Sequence, residues 1–189
     1  MKMLPIAAII NNNLKKHNKM KNVIFSTLVM IFALVSVNAQ SKKVQAKFST
    51  AQIVTNYLAL KNALTKDDTK AAAKAGKTLY ATFNAVKANT IDAKLKKDYL
   101  DIAESAKENA EHIGDNAGKL DHQREHFVLL SKDVNDLIKL FGTKQKLYQD
   151  YCPMADGGKG AIWISEIKEI KNPYYGPKML SCGSIKKTL

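Results

Sequence analysis

The stretch LDHQREHFVLLSKDVNDLIKLFG, residues 120–142, decides the fold class. Phe127, Leu130, Val134, Leu137 and Phe141 recur at alternating steps of three and four, which gathers them on one side of an α-helix. The spacing predicts a helix over Leu120 to Phe141, ended by Gly142, a residue suited to the left-handed conformation that follows helices. A helix with one apolar seam is stable in water only when something covers that seam.

The same spacing recurs three times upstream. Ile53, Tyr57, Leu60 and Leu64 form one stripe, with Ser49 or Thr50 available as its cap. Asp68 can cap a second helix reaching Lys87. It is Ala-rich at Ala71-Ala72-Ala73 and Ala75, and bulky at Leu79, Phe83 and Val86. Gly76, inside this segment, is expected to cost about 1 kcal/mol relative to Ala. Asn89-Thr90 is read as the cap of a third helix bearing Leu95, Tyr99, Ile102, Ala106, Ala110 and Ile113, with Gly114 and Asn116 as stop residues. Four amphipathic helices joined by three short connections predict a mostly α fold, an up-down-up-down four-helix bundle.

After Gly142 proline, glycine and aromatics appear. Residues 143–189 read as a tail in which Ala161 to Ile164 forms a short strand paired with Ser184 to Lys186, a small β-hairpin. The tail is too short to fold alone, so Trp163, Tyr148, Tyr151, Tyr174 and Tyr175 are expected to dock it on the bundle. Residues 49–189 then make one domain.

The N-terminal region follows a different pattern. From Met20 a positive head at Lys21 leads into the apolar run Val23 to Val37 and a small residue, Ala39, the pattern of a secretory signal peptide. The run falls short of the roughly 20 apolar residues of a membrane span. We therefore read residues 1–39 as a leader with its true start at Met20, residues 40–48 as a flexible arm, and the remainder as exported to the periplasm with no stable membrane anchor after cleavage. Removing the five lysines of the leader lowers the formal charge from +13 to +8. The remaining lysines lack interleaved aromatics, so a solvated surface is favoured over a nucleic-acid platform.

Export directs attention to sulfur. Both cysteines and the only methionines beyond the leader stand at the two ends of one segment, as Cys152-Pro153-Met154 and Met179-Leu180-Ser181-Cys182. Thiolate and thioether together select Cu(I), and thiolate also suits Zn. His122 and His126 lie at i and i+4 on the fourth helix, on one face, and His126 beside the seam could complete such a site. The alternative is a Cys152 to Cys182 disulfide, which an oxidising compartment permits and which would stabilise the fold by roughly 3 to 4 kcal/mol. On that reading the methionines fill gaps in the core and the histidines lie on the surface.

Other motifs carry less. Asp156-Gly157-Gly158-Lys159-Gly160 lacks the Ser or Thr and the spacing of a phosphate-binding loop and reads as a turn. Asp133 and Asp136 read as solvated charge, and His112 lies beside the third seam without an obvious partner. No acid and base pair or nucleophile grammar is recognisable, so no catalytic or organic cofactor site is assigned and an enzyme is not expected.

The segments Cys152-Pro153-Met154-Ala155, Trp163-Ile164-Ser165, Glu169 to Gly176, Met179 to Gly183 and Gln123-Arg124-Glu125-His126-Phe127 resemble a family of exported bacterial domains of unknown function, number 3347. That family is found alone or fused to periplasmic adaptor subunits of heavy-metal efflux systems. The resemblance implies a soft metal, Cu(I) before Zn, held by Cys152, Met154, Met179, Cys182 and His126, with His122 as a further ligand. It implies a metal-efflux adaptor or pump as partner. The function expected is periplasmic copper binding, to buffer or hand over the ion. The competing expectation is a structural or partner-binding helical domain stapled by the disulfide.

Overall fold

Helices α1 (Ala51–Leu64), α2 (Thr69–Asn84), α3 (Lys96–Asp115) and α4 (Leu120–Phe141) are followed by strands β1 (Tyr148–Cys152), β2 (Ala161–Ser165) and β3 (Ser184–Thr188) in a computed structural model that describes residues 48–189. Residues 1–47, which hold the expected leader and most of the expected arm, lie outside the described residues. Among the described residues no helix is long and apolar enough to cross a membrane.

The four stripes meet in one core. Ile53, Tyr57, Leu60 and Leu64 of α1, Leu79 and Phe83 of α2, Tyr99, Ala106, Ala110 and Ile113 of α3, and Phe127, Leu130, Val134 and Leu137 of α4 are all buried. Consecutive helices pack on each other, and β2 packs on α4 and, more lightly, on α1.

Several local expectations change. Thr50 stands at the N-cap of α1 without capping it through its side chain; its hydroxyl donates to the Gly142 carbonyl at 2.8 Å and ties the start of α1 to the end of α4, while Ser49 Oγ accepts from the Ala51 N–H at 3.3 Å. Asp68 does cap α2, accepting from the Ala71 N–H at 2.9 Å, but the helix ends at Asn84 rather than Lys87. Asn89-Thr90 does not stand at the start of α3: residues 88–90 form a turn of 3-10 helix, and α3 begins later, at Lys96.

Gly76 is not a tolerated weakness but a requirement. A Cβ there would stand 2.8 Å from the Ala110 carbonyl oxygen and 2.9 Å from the Gly114 nitrogen, so the absent side chain lets α2 and α3 approach closely. Gly114, expected as a stop, lies inside α3 at this same contact, against Lys77. Phe48, assigned to the arm, belongs to the domain: its N–H donates to the Thr90 carbonyl and its ring meets Tyr99 and Phe141 edge-on at 5.1 and 4.6 Å.

The expected hairpin is also redrawn. Both predicted strands exist, yet they do not pair with each other. The strand order is β2-β1-β3, with β1 antiparallel to both. The sequence YQDYC of β1 hides from periodicity because it is short and its inward positions, Tyr148, Asp150 and Cys152, include a carboxylate. The Asp156 to Gly160 turn joins β1 to β2.

The core-facing contacts of the sheet are polar as well as apolar. Trp163 is fully buried, and Tyr174 lies between it and Phe127, with ring centroids 6.0 and 5.8 Å away. The Tyr57 hydroxyl accepts from the Ile164 N–H at 3.1 Å and lies 2.7 Å from Ser131 Oγ, which links α1, α4 and β2 through one oxygen. Arg124 of α4 donates to the Pro173 and Leu64 carbonyls at 2.8 and 3.2 Å and pairs with Asp67 at 2.5 Å. Lys61, fully buried, pairs with Glu166 at 2.7 Å, and Asn62 binds the other carboxylate oxygen. Desolvation opposes ionisation of Glu166, but the hydrogen bonds from Asn62 and Lys61 outweigh it and hold its carboxyl below the usual value.

Candidate functional site

Two clusters of ligand atoms stand out, one of sulfur and one of nitrogen. Cys152 ends the central strand and is fully buried, whereas Cys182 is partly exposed. Their Sγ atoms are 3.5 Å apart and both thiols are free. The segment carrying Cys182 is held by one side chain. Buried Asn172 donates from Nδ2 to the Cys182 carbonyl at 2.7 Å, while its Oδ1 accepts from the N–H groups of Tyr174 and Tyr175 at 2.8 and 3.2 Å. Its own N–H donates to the Leu180 carbonyl.

Gly183, next to Cys182, has φ +138°, and a Cβ there would stand 2.8 Å from the Trp163 ring and 2.9 Å from the Tyr151 carbonyl oxygen. A side chain would therefore push Cys182 away from β1. The sulfur of Cys152, as hydrogen-bond partner, and then desolvation raise the Cys182 thiol above its ordinary value, so loss of its proton needs a higher pH or a competing cation.

The methionines differ from the cysteines. The Met154 side chain is about half exposed, and its backbone carbonyl accepts from the Tyr175 hydroxyl at 2.7 Å. Met179 is partly buried, beside the turn of Gly176 to Lys178.

The imidazoles assemble elsewhere. His122 and His126, one helical turn apart on α4, face His112 in the last turn of α3. The rings of His112 and His126 stack at 4.3 Å, and those of His122 and His126 meet edge-on at 4.6 Å. One ring nitrogen from each lies within 4.8 Å of the other two, and neither cysteine belongs to this group. Of the six residues read from the sequence, Cys152 and Cys182 form a thiol pair, His122 and His126 join an imidazole cluster, and Met154 and Met179 belong to neither group; His126 lies with the imidazoles rather than beneath the tail. His112, which spacing left without a partner, completes the cluster. Its signal was the His122 and His126 pair on an adjoining helix, and only the packing of α3 on α4 identifies it.

The cluster has a supporting shell. Asn109 Nδ2 donates to the Ser105 carbonyl at 2.9 Å, which turns Asn109 Oδ1 toward His126 Nδ1, also at 2.9 Å. An amide oxygen only accepts, so Nδ1 carries the proton and Nε2 keeps its lone pair. The Ser105 hydroxyl in turn donates to Asp133 Oδ2 at 2.8 Å. Asp133, expected to be solvated, is half-buried, and desolvation raises its carboxyl. His122 Nδ1 lies 3.5 Å from Glu125. Desolvation, and then the neighbouring His112 and His122, lower His126 below the usual imidazole value, which favours the neutral, ligating form.

A small helical domain with two ligand clusters is the class that this geometry defines. The family model described as "Protein of unknown function (DUF3347)" matches residues 53–146, which covers α1 to α4 and stops before β1. That match supports placing the chain in this family. No curated protein and no solved structure matches the chain.

Proposed function

We propose that the chain is a soft-metal carrier that binds Cu(I) through Cys152 and Cys182, with Met154 or Met179 as a thioether ligand and Zn as the second ion of choice. The single observation behind this reading is the pair of free thiols 3.5 Å apart, one buried and one reachable from solvent. Two sulfurs each about 2.3 Å from one ion stand at most about 4.6 Å apart, and the observed separation fits that limit. Soft thiolate and thioether donors favour Cu(I), and the partly exposed Cys182 leaves a route for ligand exchange. The ion is cargo, buffered or handed over to an efflux adaptor or pump, and the role is binding rather than catalysis.

The reading includes export to the periplasm through residues 1–39, which rests on the leader pattern. It also takes the helices as an up-down-up-down bundle with the sheet docked on it. Short connections and the packing of consecutive helices support that arrangement.

The same separation favours a second reading. Two thiols this close can lose two electrons and two protons to an oxidant and form a disulfide, giving a stapled structural or partner-binding domain without metal. Mass spectrometry of the purified protein, with and without reductant and with added Cu(I), distinguishes them. Copper uptake under reductant that disappears in Cys182→Ser is the expected result. A permanent two-hydrogen mass deficit with no uptake overturns the carrier reading in favour of the staple.

A further inference from the structure

We propose that His112, His122 and His126 form a second metal site, separate from the thiols, that takes a divalent ion of the Zn2+ or Cu2+ kind. The inference does not rest on copper at the sulfurs.

Four observations carry it. Three ring nitrogens, one per histidine, already lie within 4.8 Å of one another, contributed by two helices packed on each other. Imidazole suits Zn2+ and Cu2+, whereas Cu(I) is drawn to the sulfurs. The Asn109 carbonyl oxygen, oriented by the Ser105 backbone, directs the His126 proton to Nδ1 and leaves Nε2 for an ion. This is the outer partner that metal-binding histidines commonly have. His122 turns its Nδ1 toward the Glu125 carboxylate in the same sense.

The acidic side chains that act on His126, Glu108 of α3 and Glu125 of α4, would offset part of an ion's charge. Three neutral imidazoles also leave a tetrahedral ion one open position, and His112 is exposed. The site is therefore built for exchange rather than for permanent structural binding. Without an ion, three stacked and edge-on imidazoles gain little from one another.

The test uses the purified full chain carrying Cys152→Ser and Cys182→Ser, titrated calorimetrically with Zn2+ alone and, separately, with Cu2+ followed by electron paramagnetic resonance. One ion per chain is expected, with nitrogen hyperfine structure from imidazole on Cu2+. His112→Ala and His126→Ala should each weaken binding by more than the roughly 10- to 100-fold typical of an outer partner, and Asn109→Leu should weaken it within that range. Should the double serine variant fail to fold, the wild-type chain with its two thiols oxidised to a disulfide serves instead. Absence of stoichiometric binding, or binding that survives both histidine substitutions, overturns the proposal. Thiol-dependent Cu(I) uptake in a chain that shows no stoichiometric Zn2+ or Cu2+ binding overturns this site and leaves the carrier reading standing, so the two can fail separately.

Discussion

The imidazole cluster and the thiol pair are positioned by opposite means. His122 and His126 are neighbours because an α-helix repeats every 3.6 residues, and His112 meets them because α3 packs on α4. Cys152 and Cys182 meet across irregular backbone held by Asn172 and by the space left at Gly183. Periodic structure places ligands cheaply but only at helical spacing. Irregular structure brings distant residues together, yet each side-chain latch is then indispensable. The bundle is accordingly held by apolar stripes, and the tail by hydrogen bonds and buried charge as well as by buried Trp163, Ile164 and Tyr174.

Asn172→Ala tests that contrast most severely. It removes three side-chain hydrogen bonds of a fully buried residue, while the backbone N–H contact to Leu180 can persist. Unpaired buried groups cost about 1–3 kcal/mol each, so a loss of at least about 3 kcal/mol is expected. It should appear in urea denaturation followed by Trp163 fluorescence, together with faster reaction of Cys182 with a thiol reagent. Unchanged thiol reactivity would break the comparison.

Asp150 gives a test through pH. It is fully buried in β1, and neither carboxylate oxygen accepts a hydrogen bond among the described residues. Desolvation pushes its carboxyl up to about 6, against the opposing pull of Lys61. An unfolded Asp titrates near 3.9, so between about pH 4 and 6 the folded chain binds more protons than the unfolded one. This contribution is fully present below that window and is lost as pH rises through about 6. Asp150→Asn should remove the decline and raise stability at pH 7 by about 2 kcal/mol, read from urea midpoints across the window. An unaltered slope would show that the buried charge of the tail lies elsewhere.

Gly76→Ala sharpens the helical side of the comparison. Helix propensity alone predicts a gain of about 1 kcal/mol. The 2.8 Å approach to the Ala110 carbonyl predicts instead a loss of about 1–2 kcal/mol from overpacking. Far-UV circular dichroism and Trp163 fluorescence, recorded through the same melt, would show whether helices and tail respond together.

How much could be read beforehand follows the same division. The stripes from Ile53 to Phe141 were legible, because burying one face of a helix leaves a period in the chain. Strand β1 was not, because five residues with a buried carboxylate carry no clear alternation. Without β1 the two outer strands were assigned to each other. The latches of Arg124 and Lys61 are equally hidden, since each joins residues far apart in sequence, and that of Asn172 is hidden because its nearby partners lie in irregular backbone with no period.

Chain order alone therefore determined four amphipathic helices, a sulfur-bearing tail and an i,i+4 histidine pair, since each is a matter of local spacing. Tertiary structure decided that the two thiols meet, that His126 turns away from them toward His112, and that Asn109 sets its tautomer. Those contacts depend on how helix packs on helix and strand on strand, and the free energy that selects such packing is summed over the whole core rather than written in any one segment.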